Sequence, residues 1–187
     1  MQISTNDVKP GMSLDLPDGL AQVVEYQHVK PGKGQAFVRM KLKYHLTGAV
    51  VDKKFRAGES VEKATIDRRD FQYLYQDVMG YTFMDGETYE QISVAADAVG
   101  DAANYITDGM TVRLSMFDGK PIGIELPTAV ELEVTFAEPG VKGDRVSGAT
   151  KPVTLSTGLV VQVPLFVDQG DVIKVDTRSG EYITRVS

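Results

Sequence analysis

The chain has 187 residues, of which 25% are charged and 42% hydrophobic, with a formal net charge of −6 and no cysteine. This is a globular composition, and no run approaches the roughly 20 apolar residues that a membrane helix needs. Without cysteine there are no disulfides, no thiol catalysis and no cysteine-based zinc site. The opening Met-Gln-Ile-Ser-Thr-Asn-Asp has neither a basic n-region nor an apolar h-region, so the cytoplasm is the expected compartment and no membrane is expected as a partner.

A net negative charge argues at first against nucleic acid, but the charge is unevenly spread. Divided near residues 64 and 127, the chain carries ten basic against seven acidic residues in 1–64 (+3), four against eleven in 65–127 (−7), and six against eight in 128–187 (−2). A basic first third precedes a strongly acidic middle.

The first third reads as β throughout. A turn at residues 8–12 leads into a strand at 12–16, closed by Pro17-Asp18-Gly19. Two long strand-like runs follow, Leu20 to Val29 and Gln35 to His45, separated by Pro31-Gly32-Lys33-Gly34. Two glycines give the turn backbone freedom and Pro31 stiffens its start, which predicts a β-hairpin with Lys33 at its apex. Arms of about eight residues at roughly 3.3 Å each would hold that lysine about 25 Å from the base. In the second arm Ala36, Val38, Met40, Leu42 and Tyr44 fall on one face, and Phe37, Arg39, Lys41, Lys43 and His45 on the other. The basic face is open to two readings, a solvated surface or a strip that meets RNA phosphates. A further strand and turn at 50–58 completes a small SH3-like barrel.

The middle third contains aromatic and β-branched runs at 71–75, 81–86 and 88–94. A helix is expected over 97–106 with Asp97 as its N-cap, although Gly100 weakens it. A last hairpin turns at Asp118-Gly119. Strands, one helix, then strands fit an oligonucleotide/oligosaccharide-binding (OB) barrel. Tyr73 and Tyr75 are read as packing residues rather than base-stacking ones, because the charge around them is −7. The last third repeats the theme, with alternation over 159–166 and turns at Gly170-Asp171 and 176–180. Pro164 inside a strand pattern implies an edge or a bulge. The expected architecture is therefore all-β, three small barrels at 1–64, 65–127 and 128–187: a KOW/SH3-like domain, a central OB domain and a C-terminal OB domain.

Catalytic signatures are missing. His28 and His45 have no partner pattern for metal or triad work, Gly32-Lys33-Gly34 lacks the longer frame of a phosphate-binding loop, and no Gly-x-Ser-x-Gly elbow occurs. Neither an enzyme, a metal nor a cofactor is expected.

The run His28-Val29-Lys30-Pro31-Gly32-Lys33-Gly34-Gln35-Ala36-Phe37 resembles the tip loop of the bacterial elongation factor P family. The resemblance extends through Tyr73-Leu74-Tyr75, Phe83-Met84-Asp85, the stretch 138–144, the long block 151–166 and its continuation to Arg185. It implies three domains in an L-shaped, tRNA-like outline. It also implies binding to the 70S ribosome between the peptidyl and exit tRNA sites, and relief of stalling at consecutive prolines. Lys33 would then contact the CCA end of peptidyl-tRNA, prolyl-tRNA above all. A lysine-modifying enzyme acting on Lys33 is a further implied partner, as many relatives carry an extension such as β-lysylation there. The placement of the basic strip beside the hairpin favours RNA-backbone contact by Arg39, Lys41 and Lys43, and the resemblance implies a tRNA D-arm loop at Gly143, Asp144 and Arg145 and small-subunit contact through Tyr182 and Arg185. Arg145 stands where Thr is frequent in the family, adding a phosphate contact and losing a hydroxyl. DNA is not an expected partner. The competing reading is a stand-alone OB-type single-stranded RNA binder, which would bind free oligonucleotide through its OB surfaces with steep salt dependence.

Overall fold

The computed structural model describes residues 1–140 and 148–187. Among them the chain is almost entirely β, in three antiparallel sheets. The first is built from β1 (Gln2–Ser4), β2 (Ser13–Leu16), β3 (Gly19–Val29), β4 (Phe37–Tyr44), β5 (Val50–Arg56) and β6 (Ser60–Ala64), in the order β1-β6-β2-β3-β4-β5. The period of two in β4 does what the sequence requires: Val38, Met40 and Leu42 are fully buried, joined by Leu14, Ala21 and Val23 from β2 and β3.

The second sheet contains β7 (Asp67–Asp77), β8 (Gly80–Asp85), β9 (Gln91–Val94), β10 (Thr111–Phe117) and β11 (Lys120–Glu125), in the order β11-β10-β7-β8-β9. Phe83 is its fully buried centre, flanked by Phe71 and Tyr73. The expected helix over 97–106 is not continuous. A single turn, α1 (Ala96–Val99), stops at Gly100, whose φ of +56° breaks the α run, and a 3-10 segment carries on over Gly100–Asn104. Asp97 is not the cap, a position held by Ala95 without a side-chain bond.

The third sheet contains β12 (Ala129–Ala137), β13 (Thr150–Leu155), β14 (Val160–Pro164), β15 (Val172–Asp176) and β16 (Tyr182–Arg185), in the order β14-β13-β12-β15-β16. Its curl brings the edge strands β14 and β16 against each other over a core of Leu132, Val134, Leu155, Val163 and Ile173. Pro164 closes β14 on that edge, where a missing N–H costs no ladder bond. Lys151 is a buried cation here: its Nζ donates to the Glu138 carbonyl at 2.8 Å and lies 3.7 Å from an Asp168 carboxylate oxygen.

The chain groups into two compact units. One comprises Met1–Arg69 with Leu114–Gly123, the other Asp70–Arg113 with Ile124–Ser187. Within the second, Tyr105 inserts into the core of the third sheet, and Thr157 Oγ1 donates to the Asn104 carbonyl at 2.7 Å. The 3-10 segment thus serves the neighbouring sheet, a role its sequence does not announce.

Candidate nucleic-acid interface

The hairpin begins at an anchored base. Asp18, in the turn before β3, accepts hydrogen bonds from Tyr44 Oη at 2.8 Å and from Lys53 Nζ at 2.5 Å, linking that turn to the end of β4 and the middle of β5. The Lys53 ammonium and then the Tyr44 hydroxyl hold the Asp18 carboxyl below its ordinary value. Further up, Tyr26 Oη donates to the Thr5 carbonyl at 2.9 Å, tying the stem to the barrel.

From that base β3 and β4 pair continuously from Ala21↔Tyr44 to Val29↔Phe37, with a bulge at Val24. Eight residue pairs at a rise of about 3.3 Å give a stem of about 25 Å. The bulge adds local twist and leaves Val24 44% exposed. Residues 30–36 form the tip, and Pro31, Gly32, Lys33 and Gly34 are all exposed. The two glycines differ. Gly34 sits at φ +102°, a conformation that disfavours any side chain, and a Cβ there would approach the Pro31 ring at 4.0 Å. Gly32 has no left-handed φ and nothing within 4 Å, so its backbone does not demand glycine. What Gly32 supplies is slimness beside Lys33.

The outer face of β4 carries Arg39, Lys41 and Lys43 as alternation requires, but the cross-strand partners alter its character. Lys41 lies opposite Asp52 and 3.4 Å from the Glu25 carboxylate, so it is internally paired. Such an exposed pair is worth about 0–1 kcal/mol. Arg39 lies opposite Gln27 on one side and Lys54 on the other, and Lys43 opposite Gln22 and Val50. Lys54 also stacks over the Phe37 ring, 5.0 Å from its centroid, beside Arg56. Lys54 and Arg56 therefore belong to the basic surface that leads to the tip. The alternation Asp52, Lys54, Arg56 along β5 was the available signal.

Elsewhere the sequence candidates scatter. Tyr73 is core, 5.5 Å from Phe83 and 5.8 Å from Tyr81 between ring centroids, whereas Tyr75 is exposed. Tyr182 packs partly against the core of the third sheet. The Arg185 guanidinium lies 4.9 Å from the Phe166 ring centroid and 3.6 Å from an Asp171 carboxylate oxygen. Gly143, Asp144 and Arg145 lie outside the described residues. Among the described residues no group of three His, Asp or Glu side chains is placed to hold a metal ion, and no helix is long and apolar enough to cross a membrane.

Comparison with known proteins gives this geometry a context. Residues 4–61 match the family model described as the Elongation factor P (EF-P) KOW-like domain, residues 66–124 the EF-P OB domain, and residues 130–185 the Elongation factor P C-terminal domain. Proteins named Elongation factor P are similar along the whole chain. That of Acidothermus cellulolyticus is 55% identical, covering 98% of both chains, and that of Pelotomaculum thermopropionicum is 54% identical, covering 98% of this chain and all of its own. Among solved structures, Eukaryotic translation initiation factor 5A from Methanococcus jannaschii superposes with a TM-score of 0.52 at 25% identity, over 67% of this chain and 94% of its own. An initiation factor 5A family protein from Naegleria fowleri shares the fold at 14% identity and a TM-score of 0.51, over 67% of this chain and 98% of its own. The mostly-β fold with a KOW-like and an OB domain, expected from the sequence, is the one found. A chain more than half identical to these relatives over nearly its full length belongs to the elongation factor P family, and is a translation factor rather than an enzyme.

Proposed function

We propose that this factor binds the ribosome between the peptidyl and exit tRNA sites and uses the Lys33 tip to position the CCA end of peptidyl-tRNA, relieving stalls at consecutive prolines. The observation that carries this reading is an exposed lysine at the hairpin apex, flanked by Gly32 and Gly34, at the end of a paired stem anchored at its base. Proline is a constrained nucleophile and donor, so peptide transfer suffers from poor alignment. Holding one reactant in an attack-ready pose lowers the barrier without any catalytic group. Lys33 contributes reach and an ammonium donor to RNA oxygens, and a lysine-modifying enzyme would extend both. Arg39, Lys43, Lys54 and Arg56 meet RNA backbone along the stem, with Lys41 a weaker contributor because Glu25 already neutralises it. The proposal keeps three functional domains at 1–64, 65–127 and 128–187. It assigns tRNA D-arm contact to Gly143, Asp144 and Arg145 and small-subunit contact to Tyr182 and Arg185.

The test is a Pro-Pro-Pro reporter in a reconstituted translation system lacking the factor, with a proline-free reporter as control. Natively purified protein restores the Pro-Pro-Pro product and Lys33→Ala does not, while the control is unchanged. Failure of the native protein to restore it would overturn the reading and favour a stand-alone single-stranded RNA binder.

A further inference from the structure

The edge strands of the three sheets are not alike. β1 is three residues long, β9 and β16 are four each, β11 carries Pro121, and β14 ends in Pro164 and lies against β16. Shortness, proline and coverage protect an exposed edge against a further strand. β5 has none of these. It runs for seven residues without proline, and its pairing with β4 is unbroken from Val50↔Lys43 to Arg56↔Phe37. Lysine is the remaining protection, in Lys53 and Lys54, but Asp18 already neutralises the Lys53 ammonium.

The backbone of this edge is open at its middle. Tyr44 N–H donates to the Ala49 carbonyl at 2.9 Å, and Ala57 N–H to the Ala36 carbonyl at 3.3 Å. In an antiparallel ladder that parity turns the backbone groups of Val51, Lys53 and Phe55 toward β4, and those of Val50, Asp52, Lys54 and Arg56 away from it. Arg56 is occupied: its N–H donates to the Glu59 carboxylate at 3.0 Å and its carbonyl accepts from Thr5 Oγ1 at 2.8 Å. Asp52 and Lys54 therefore present the donors and acceptors at the centre, and their side chains carry opposite charges on the outer face. Asp52 lies across from Lys41, but that ammonium is 3.4 Å from Glu25, and among the described residues Asp52 makes no ion pair. Lys54 stacks over Phe37 and, among the described residues, has no carboxylate partner either.

A second copy of the same strand satisfies these groups in one register. Antiparallel pairing about a two-fold axis at Lys53 sets Asp52 opposite Lys54 of the second copy, and Lys54 opposite its Asp52, so the ion pair and the doubly hydrogen-bonded residue pair are each made twice. The same register sets Val51, 37% exposed, against Phe55 of the second copy on the inner face. An axis at Asp52 or at Lys54 would oppose like charges, and one at Val51 would leave both charges without partners. We propose that β5 is a self-association edge that takes β5 of a second copy of this chain, antiparallel, with Lys53 on the axis. The proposal requires neither Lys33 nor RNA, and so does not rest on the functional reading above.

The test is sedimentation equilibrium of the full-length chain. A pairing this short is a weak interface, expected to dissociate at about 10–100 μM, so loading from about 5 to 500 μM should raise the weight-average mass above the monomer's 20.4 kDa. Asp52→Lys and Lys54→Asp should each weaken association about tenfold, because each opposes like charges twice. An equimolar mixture of the two variants should regain it, since each chain then meets opposite charge on the other; no effect within one chain reproduces that. The chain has no cysteine, so Lys53→Cys places a lone thiol on the axis, where a non-hydrogen-bonded pair brings Cα atoms to about 4.5 Å, within disulfide reach. In a glutathione redox buffer Lys53→Cys should form disulfide dimers. Val51→Cys, about 13 Å from its counterpart, should not. Lys33→Ala should associate like wild type, which separates failure of the edge from failure of the tip. A constant 20.4 kDa at every loading, a mixture no more associated than either variant alone, or equal disulfide yields from the two thiols would overturn the proposal.

Discussion

Replacing Gly80 with alanine is the sharpest structural perturbation available in the second sheet. Gly80 opens β8 at φ +132°, and a Cβ placed there would lie 2.3 Å from the Val94 carbonyl oxygen and 3.1 Å from Ala95 Cα. Both are backbone atoms, so no side-chain rotation relieves the clash. Reaching even a 3.0 Å contact requires β8 and β9 to separate by about 0.7 Å, at the pair Tyr81↔Val94. The unfavourable φ costs about 1–2 kcal/mol, and loosening one or two ladder bonds adds about 1–2 more. A loss of about 2–4 kcal/mol follows. Gly119→Ala is the matched control, since Gly119 also has positive φ (+74°) but nothing within 4 Å of its would-be Cβ. It should cost only the conformational part, about 1–2 kcal/mol. At about 2–4 °C per kcal/mol for a chain of this size, thermal melts should show Gly80→Ala lower than Gly119→Ala by about 2–8 °C. Equal midpoints would refute the reasoning, because the two glycines would then differ in nothing but their surroundings on paper.

Other consequences are tested more simply. Lys151→Met keeps most of the apolar stem but leaves the Glu138 carbonyl without its donor, and should cost about 1–3 kcal/mol in denaturant titration. Because burial lowers the His45 pKa, the unfolded chain takes up its proton first. The stability that the neutral ring contributes is present above pH 6.5, the ordinary value, and is lost as pH falls below it. Melts between pH 7.5 and 5.5 should therefore decline more steeply for wild type than for His45→Gln. Asp18, likewise lowered, obeys the same rule at a lower pH, so its contribution is retained above pH 3.8 and fades only below it; Asp18→Asn should leave the neutral-range slope unchanged. Arg185→Ala removes an exposed cation–π contact and one long ion pair, worth under about 1 kcal/mol. A fall in reporter synthesis without a comparable fall in melting temperature would mark Arg185 as a partner contact.

The parts of this molecule legible in the sequence are those set by local pattern. Alternation placed Val38, Met40 and Leu42 inward, Pro164 marked an edge strand, and Asp118-Gly119 formed its turn with both residues at positive φ. The tip loop was legible because Pro and Gly act on their own backbone. What escaped depends on residues distant in the chain. The bulge at Val24 brings Glu25 opposite Lys41, which converts one member of the basic strip into an ion pair. Ser13 and His45 are 32 residues apart and meet only through sheet register. Tyr105 reads as one face of a helix, yet it fills the third sheet's core, because Gly100 ends the α turn and redirects the segment. Periodicity says that a residue is buried; it does not say in which core.

The central claim is that the factor acts by position. The most direct measurement is single-turnover peptide-bond formation from ribosome-bound peptidyl-prolyl-tRNA to a prolyl acceptor over a range of temperatures, with and without the factor, and with Lys33→Ala. Positioning requires that the native factor raise the rate through a less unfavourable activation entropy at nearly constant activation enthalpy, and that Lys33→Ala lose most of that gain. A rate enhancement carried by activation enthalpy, or one retained in full by Lys33→Ala, would contradict it.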